Sequence, residues 1–216
     1  MTRPGAPLPS LLSRAMTRVV GAVPGGDDTD AKVLDAALRV LARRGTREAT
    51  MDDIAAESGV GRTTLFRRYT SKDQLFERAL ARDMGRILDD LAQRFTVVTD
   101  PTEQVVLGFI TGLRLGDHIL FRDSDPVRRA ELLQALSHGD PSPIVLGFKA
   151  VRANIARAQA DGKIPVRDPD AQADALIHLM IGYLAAPSLA VDIADPVAVE
   201  RLARAAVAPI LTGTID

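Results

Sequence analysis

The stretch GVGRTTLFRRYTSKDQLF, residues 59–76, is the most informative part of this sequence. It opens on a Gly-Val-Gly turn and then concentrates positive charge on one short segment. Its basic side chains are Arg62, Arg67, Arg68 and Lys72. Leu65 and Tyr69 lie four residues apart, so a helix would turn both toward one apolar face and leave the cations on another. The pattern predicts a short basic helix directly after a glycine turn.

The preceding segment predicts a longer first helix. In TDAKVLDAALRVLARRG, residues 29–45, Leu34, Leu38 and Leu41 recur at helical spacing. Gly45 then supplies the residue type that most commonly follows a helix C-terminus. We therefore expect the first helix to end at Gly45.

Capping residues predict two short helices after it. Thr50 precedes MDDIAAESG, and Asp53 follows three residues later, which is an Asp variant of the capping box. This second helix is expected to stop at Gly59. Gly61 is a weaker but tolerated N-cap for a third helix, over about residues 62–69.

Helix starts also punctuate the rest of the chain. Ser71 with Gln74 forms another capping box and opens a helix over about residues 72–95. Asp-Pro pairs then occur at 100–101, 125–126, 140–141, 168–169 and 195–196. Asp is a favoured N-cap and Pro suits the first helical position, so each pair predicts a helix start. No segment shows sustained period-two alternation, so the predicted fold class is all-α, with three or four short helices followed by five or six more.

Two short helices joined by a glycine-containing turn, the second one basic, are typical of the DNA-binding helix-turn-helix. Arg62 is placed to bond a guanine edge in the major groove, and Thr63 and Thr64 are short enough to let the backbone come close. The expected phosphate contacts are Arg67, Arg68 and Lys72. Thr50 and the N–H groups that open the second helix form a second phosphate clamp. A solvated basic face on a structural helix is the competing interpretation.

The chain resembles the TetR family of bacterial transcriptional regulators at ATMDDIAAESGVGRTTLFRRYTSKDQLF, residues 49–76. Like the family, it has Thr before the second helix, Ile-Ala within it, Gly-Val at the turn, Thr-Leu-aromatic, and Ser-Lys before Leu75 and Phe76. The resemblance covers about residues 30–80. It implies a homodimeric repressor that binds a palindromic double-stranded DNA operator and is released by a small-molecule effector. The residues that it places on DNA are Thr50, Arg62, Thr63, Thr64, Phe66, Arg67, Arg68 and Lys72.

Three positions depart from the family pattern. Gly61 stands where Ser is usual, which weakens the helix cap. Phe66 replaces a usual Tyr, so a hydroxyl bond to phosphate is lost. Arg68 replaces a frequent His and adds a permanent cation. These departures concern the pattern of contacts rather than DNA binding itself.

The sequence divides into three predicted parts. They are an N-terminal arm and linker (1–28), a helix-turn-helix DNA-binding domain (29–78) and a larger helical effector-binding and dimerisation domain (79–216). Within the arm, LLSRAMTRVV allows a short amphipathic helix with Arg14 and Arg18 on one side. A loosely ordered tail and an arm that touches DNA are both open interpretations of this part.

The resemblance also guides the C-terminal part. It places the dimer contact on the last two long helices, about residues 169–186 and 196–211, where Gly182, Ala185 and Ala186 would let a partner helix approach closely. The candidate effector-binding residues are Phe109, His118, Phe121, Phe148, His178, Met180 and Tyr183. Packing within the core is the competing interpretation of the aromatic residues. A mostly apolar pocket with one or two polar groups would suit a lipophilic effector.

Other function classes find little support in the residues. The chain has no P-loop, dinucleotide-binding turn, Gly-x-Ser-x-Gly elbow or His-Glu-x-x-His pair, so we do not expect an enzyme. It has no cysteine, and its three histidines lack metal-ligand spacing, so we expect neither a metal nor a cofactor. The most apolar run, residues 175–191, is shorter than the about 20 residues of a membrane span. A cytoplasmic protein without a membrane partner is expected, and a helical protein-interaction module without DNA binding is the alternative function.

Overall fold

A computed structural model describes residues 5–20, 28–122 and 124–213 of the chain. Within these residues the secondary structure is helical and contains no strand, which confirms the predicted all-α class. The α-helices are α1 (Leu8–Val20), α2 (Asp28–Glu48), α3 (Met51–Ser58), α4 (Arg62–Arg68), α5 (Lys72–Val97), α6 (Pro101–Leu113), α7 (Pro126–Leu136), α8 (Pro143–Ala160), α9 (Pro169–Ala185), α10 (Pro196–Leu202) and α11 (Pro209–Thr212). A 3₁₀ turn, Arg114–Asp117, follows α6, and a π-helical turn, Ala203–Val207, follows α10.

The helices form two compact units. The N-terminal unit comprises the described parts of residues 1–87 together with 119–143, and the C-terminal unit comprises 88–118 and the described part of 144–216. The sequence predicts a domain boundary after residue 78 and a single domain beyond it. The structure divides the chain differently, because α7 and its flanking loops pack with the N-terminal unit.

Helix α1 is an integral part of the N-terminal unit. Leu11 and Ala15 are fully buried, and they join the same core cluster as Leu132 and Ala135 of α7. Arg14 and Arg18 lie on the outer side, where both bond the Glu77 carboxylate at 2.9 and 2.7 Å. Residues 8–20 form the amphipathic helix that the sequence allows, with both arginines on one side, rather than a loosely ordered tail, while contact of this helix with DNA stays an open interpretation. The predicted linker lies mostly outside the described residues.

Local capping rules account for most helix boundaries. Gly45 has a φ of 70° and interrupts α2, while Gly59 ends α3 in the left-handed conformation at a φ of 69°. Asp-Pro pairs open α6, α7, α9 and α10 as predicted, with the Asp side chain accepting from the first-turn N–H groups. The fifth pair, Asp140-Pro141, does not open a helix. Its peptide bond is cis, and α8 begins later, at Pro143.

Helix α9 buries only one of its faces. Its buried residues are Gln172, Ala173, Ile177 and Leu184. The opposite face carries Ala171, Ala175, Gly182 and Ala185, which are exposed in the single chain. The apolar character of this helix is therefore only partly used within one subunit. None of the helices in the described ranges combines the length and the apolarity needed to cross a bilayer.

Candidate nucleic-acid interface

Helix α4 turns one side into the core and the other side outward. Leu65 is fully buried and Tyr69 nearly so, and both belong to the core cluster that contains Ile54 of α3 and Leu41 of α2. The exposed residues of α4 are Arg62, Thr63, Phe66, Arg67 and Arg68, and Thr64 is half-buried. This is the division between an apolar face and a basic face that the sequence predicts. It leaves the assignment of individual DNA contacts as a prediction.

The helix before α4 is fixed by a complete capping box. The Asp53 backbone N–H donates to the Thr50 hydroxyl at 3.1 Å, and the Thr50 backbone N–H donates to the Asp53 carboxylate at 2.9 Å. The Thr50 hydroxyl also donates to Asp53 at 2.7 Å. This hydrogen bond from Thr50, partly offset by burial and helped by nearby Arg44, lowers the pKa of Asp53. Because the hydroxyl proton is already used, a phosphate at this position would rely on the backbone N–H groups of α3.

Arg62 is held from two sides. Its Nε lies 2.9 Å from the Asp52 carboxylate in the first turn of α3. Its guanidinium carbon lies 5.6 Å from the centre of the Phe66 ring, within the range of a cation–π contact. Nothing in the sequence predicted the contact with Asp52, because it depends on how the glycine turn folds α4 back beside α3.

Arg68 and Tyr69 share one acidic partner. The Arg68 guanidinium and the Tyr69 hydroxyl each donate to the Asp30 carboxylate at 2.9 Å. Burial, together with this bond to Asp30, raises the pKa of Tyr69 to about 12. These contacts tie the C-terminal end of α4 to the first turn of α2. Arg68, predicted as a phosphate contact, therefore also has a role in fixing the angle between these two helices.

Lys72 occupies a place that the sequence did not predict. Its ammonium donates to the backbone oxygens of Thr46 and Ala49 at 2.8 and 2.9 Å, and to that of Arg47 at 3.4 Å. An ammonium has three N–H donors, so none is left for a phosphate. The phosphate contact of Lys72 stays a prediction, and these bonds would have to open before the ammonium could reach a phosphate. The ammonium satisfies carbonyl groups at and just beyond the C-terminal end of α2.

Replacing Lys72 with Met should test this structural role, because Met keeps the aliphatic stem and removes only the ammonium. We expect the free energy of unfolding to fall by about 1 kcal/mol, since the carbonyl groups lose a charged donor but can reach water. The salt dependence of DNA binding should stay unchanged. Lys32→Met, at an exposed position of α2, is the control in the same urea denaturation series. If the slope of log affinity against log salt concentration became shallower by about 1 in Lys72→Met, Lys72 would be a phosphate contact.

Arg67 is the α4 cation best suited to an external anion. It is exposed, and within the described residues it has no ion pair or hydrogen bond. Arg62 and Arg68, by contrast, are each paired with a carboxylate of the same unit. The sequence treats Arg67 and Arg68 alike, whereas the structure separates them.

The candidate effector residues belong to different core clusters or to the surface of the described structure. Phe109 and Tyr183 meet edge to face at 5.8 Å in one core cluster, while Phe148 packs against another. Phe121 packs against the core of the N-terminal unit, and His178 is exposed and bonds the Asp174 carbonyl oxygen. His118 is half-buried, and Met180 packs so close to Gly112 that a Cβ there would lie 2.1 Å from its sulfur. Core packing accounts for Phe109, Phe121, Phe148 and Tyr183.

An open groove of about 410 Å³ lies between α5 and α6. It is lined by Asp90, Gln93, Arg94, Val97, Val98 and Leu107. None of the candidate effector residues lines this groove. The effector-binding role of these residues stays a prediction.

Comparison with known families supports the interpretation of the N-terminal unit. The family model described as "Bacterial regulatory proteins, tetR family" matches residues 33–79, which contain α3, α4 and most of α2. The transcriptional repressor LfrR of Mycolicibacterium smegmatis is 36% identical over 95 residues, which are 44% of this chain and 49% of LfrR. An HTH-type regulator of Mycobacterium tuberculosis, Rv1255c, is 29% identical over 84 residues, or 39% of this chain and 42% of its own length. The matched part thus spans about half the length of these curated relatives.

Solved structures share the fold over most of the chain. The fatty acid degradation regulator FadR from Bacillus halodurans superposes with a TM-score of 0.61 at 16% identity, covering 85% of this chain and 98% of FadR. At this level of identity the similarity concerns the fold alone. It extends the comparison from the helix-turn-helix to the helical architecture of both units.

Proposed function

This chain belongs, by its helix-turn-helix domain, to the TetR family of bacterial regulatory proteins, and we propose from this premise that it is a ligand-responsive transcriptional repressor. It binds a palindromic DNA operator as a homodimer and leaves it when a small molecule binds. The observation that carries the proposal is the outward basic face of α4. Leu65 and Tyr69 anchor that helix in the core, so Arg62 and Arg67 lie on its outward side.

The α4 side chains divide into two tasks in this proposal. Arg62, together with Thr63 and Thr64, faces base edges in the major groove, where arginine bonds guanine in a bidentate manner. Phe66 packs against a sugar or against Arg62. Arg67, joined by Arg68 on release from Asp30, neutralises phosphates and fixes the register on the duplex.

Dimerisation is proposed through the exposed face of α9. Ala171, Ala175, Gly182 and Ala185 lie on this face with the exposed His178 between them, and a partner helix could pack against the small residues on either side of His178. A two-fold dimer would present two α4 helices to sites about one helical turn apart. Operator symmetry would then mirror the symmetry of the protein.

Release by an effector requires only that the ligand favour one dimer shape over another. A ligand that binds best when the two α4 helices are wrongly spaced lowers the affinity for the operator through that difference. A lipophilic effector is proposed from the mostly apolar candidate residues of the sequence alone. A helical interaction module without DNA binding is the second candidate, and no specific observation favours it.

Selection of bound sequences from a random duplex library tests the proposal. A DNA-binding repressor should enrich a palindromic site, and its affinity for that site should fall steeply with salt as counterions are displaced from phosphates. An interaction module should enrich nothing. Its weak adhesion to duplex DNA should also show no preferred sequence.

Arg67→Ala should weaken binding to all duplexes to a similar extent. Because it removes one phosphate contact, we expect the negative slope of log affinity against log salt concentration to become shallower by about 1 for each protomer. Arg152→Ala, which removes an exposed arginine of the C-terminal unit, is the charge-matched control and should leave the slope unchanged. Equal slopes for the wild type and Arg67→Ala would remove Arg67 from the interface.

A further inference from the structure

The pair of Asp52 and Arg62 is unusual because it lies on the face that we assign to DNA. Asp52 is 55% exposed and Arg62 is 68% exposed, while Nε of Arg62 lies 2.9 Å from the carboxylate. An ion pair this exposed adds little to stability. Its carboxylate would also repel phosphates. An effect of this pair is therefore expected on recognition rather than on folding.

The geometry leaves the two terminal guanidinium nitrogens of Arg62 available to a base. The carboxylate engages Nε, so the two terminal nitrogens keep their N–H donors for O6 and N7 of a guanine. The Phe66 ring lies against the guanidinium at 5.6 Å and provides a second support. Asp52 is itself placed by α3, whose start is fixed by the capping box at Thr50 and Asp53.

We propose that Asp52 is a positioning residue that determines specificity: it holds Arg62 in the orientation that reads one base pair in each half-site. The inference rests on the proposed function. A free arginine side chain must lose its rotamer freedom on binding, and it can turn to a phosphate instead of a base. A pre-oriented Arg62 avoids both effects, so Asp52 favours the sequence that offers a guanine at that position and disfavours duplex DNA in general.

Two consequences follow from this role: the first is shared with a general electrostatic effect, and only the second distinguishes the two. Removing Asp52 should raise the affinity for unrelated duplex DNA, because a negative charge leaves the interface. The same change should lower discrimination at one base pair only. Ordering one long side chain corresponds to a change of about threefold to tenfold in that discrimination.

The test uses the full-length chain and a duplex selected from a random library. For each variant, the discrimination ratio is the affinity for the selected duplex divided by that for a duplex with the Arg62-dependent base pair replaced. Asp52→Ala should lower this ratio about threefold to tenfold. Glu48→Ala, which removes an equal charge at an exposed position of α2, should leave it within about twofold. In an Arg62→Ala background, Asp52→Ala should change the ratio no further.

Each outcome has one meaning. An unchanged ratio in Asp52→Ala would overturn the inference, and so would a reduction that persists in the Arg62→Ala background. A uniform effect shared with Glu48→Ala would show that only net charge matters and would also overturn it. If the wild type enriches no sequence from the library, the proposed function itself fails.

Discussion

Leu65→Ala should lower the free energy of unfolding by about 2–5 kcal/mol, the largest effect that we expect from a single change in α4. Leu65 has no exposed surface, and it joins the recognition helix to the core shared with α2 and α3. The destabilisation combines the removal of buried methyl groups with the cavity that they leave. Because α4 is only seven residues long, it depends on this packing more than on its own helix propensity. Equilibrium urea denaturation measures the effect.

The neighbouring Phe66→Ala is the matched control for that experiment. Phe66 is 47% exposed, so its removal should change the free energy of unfolding by less than about 1 kcal/mol. A similar destabilisation in both variants would mean that α4 does not have one buried and one exposed face. The basic surface described above would then lack its structural basis.

Arg62→Ala should abolish the preference for one base pair in each half-site of the selected duplex. A bidentate contact between arginine and guanine contributes about 1–3 kcal/mol of discrimination, which corresponds to roughly fivefold to 150-fold in relative affinity. The affinity for duplexes that already lack this base pair should change much less. Competition binding against a set of single-base variants of the selected duplex measures both quantities.

Arg67→Ala is the comparison variant in this experiment, since it should lower the affinity for every duplex by a similar factor. A drop in affinity in Arg62→Ala that is equal for all duplexes would make Arg62 another phosphate contact. It would also remove the basis of the role assigned to Asp52. The two variants together separate base reading from simple charge neutralisation.

Local sequence rules predicted the helix-turn-helix well. The Thr50–Asp53 capping box, the left-handed Gly59 and the buried pair of Leu65 and Tyr69 all depend on residues close together in the chain. Four of the Asp-Pro pairs open helices for the same reason. Such features are readable because the interacting atoms lie within one or two turns of each other.

Contacts between distant residues account for what the sequence did not predict. Lys72 reaches carbonyl groups at residues 46–49, and Glu77 draws Arg14 and Arg18 of α1 to its side. Both arrangements depend on how helices pack. The presence of a lysine in the sequence does not predict whether its ammonium is bound by carbonyl groups of the protein or exposed to solvent. Asp140-Pro141 failed as a helix start, and no local rule distinguished it from the other four pairs.

The candidate effector residues likewise depend on contacts between distant residues, which the sequence does not predict. Aromatic residues in a helical domain predict a core and a pocket equally well, and four of them pack in core clusters. His178 has apolar neighbours in the sequence, but helical geometry turns its side chain toward solvent, beside Asp174.

Dimethyl sulfate footprinting of the selected duplex tests the central claim most directly, because this reagent methylates guanine N7 in the major groove. We expect protected guanines in two patches whose centres lie about 10 base pairs apart, and we expect Arg62→Ala to expose one guanine in each patch to the reagent. Protection confined to one patch, or unprotected guanine N7 throughout a tightly bound duplex, would contradict the placement of paired α4 helices in the major groove.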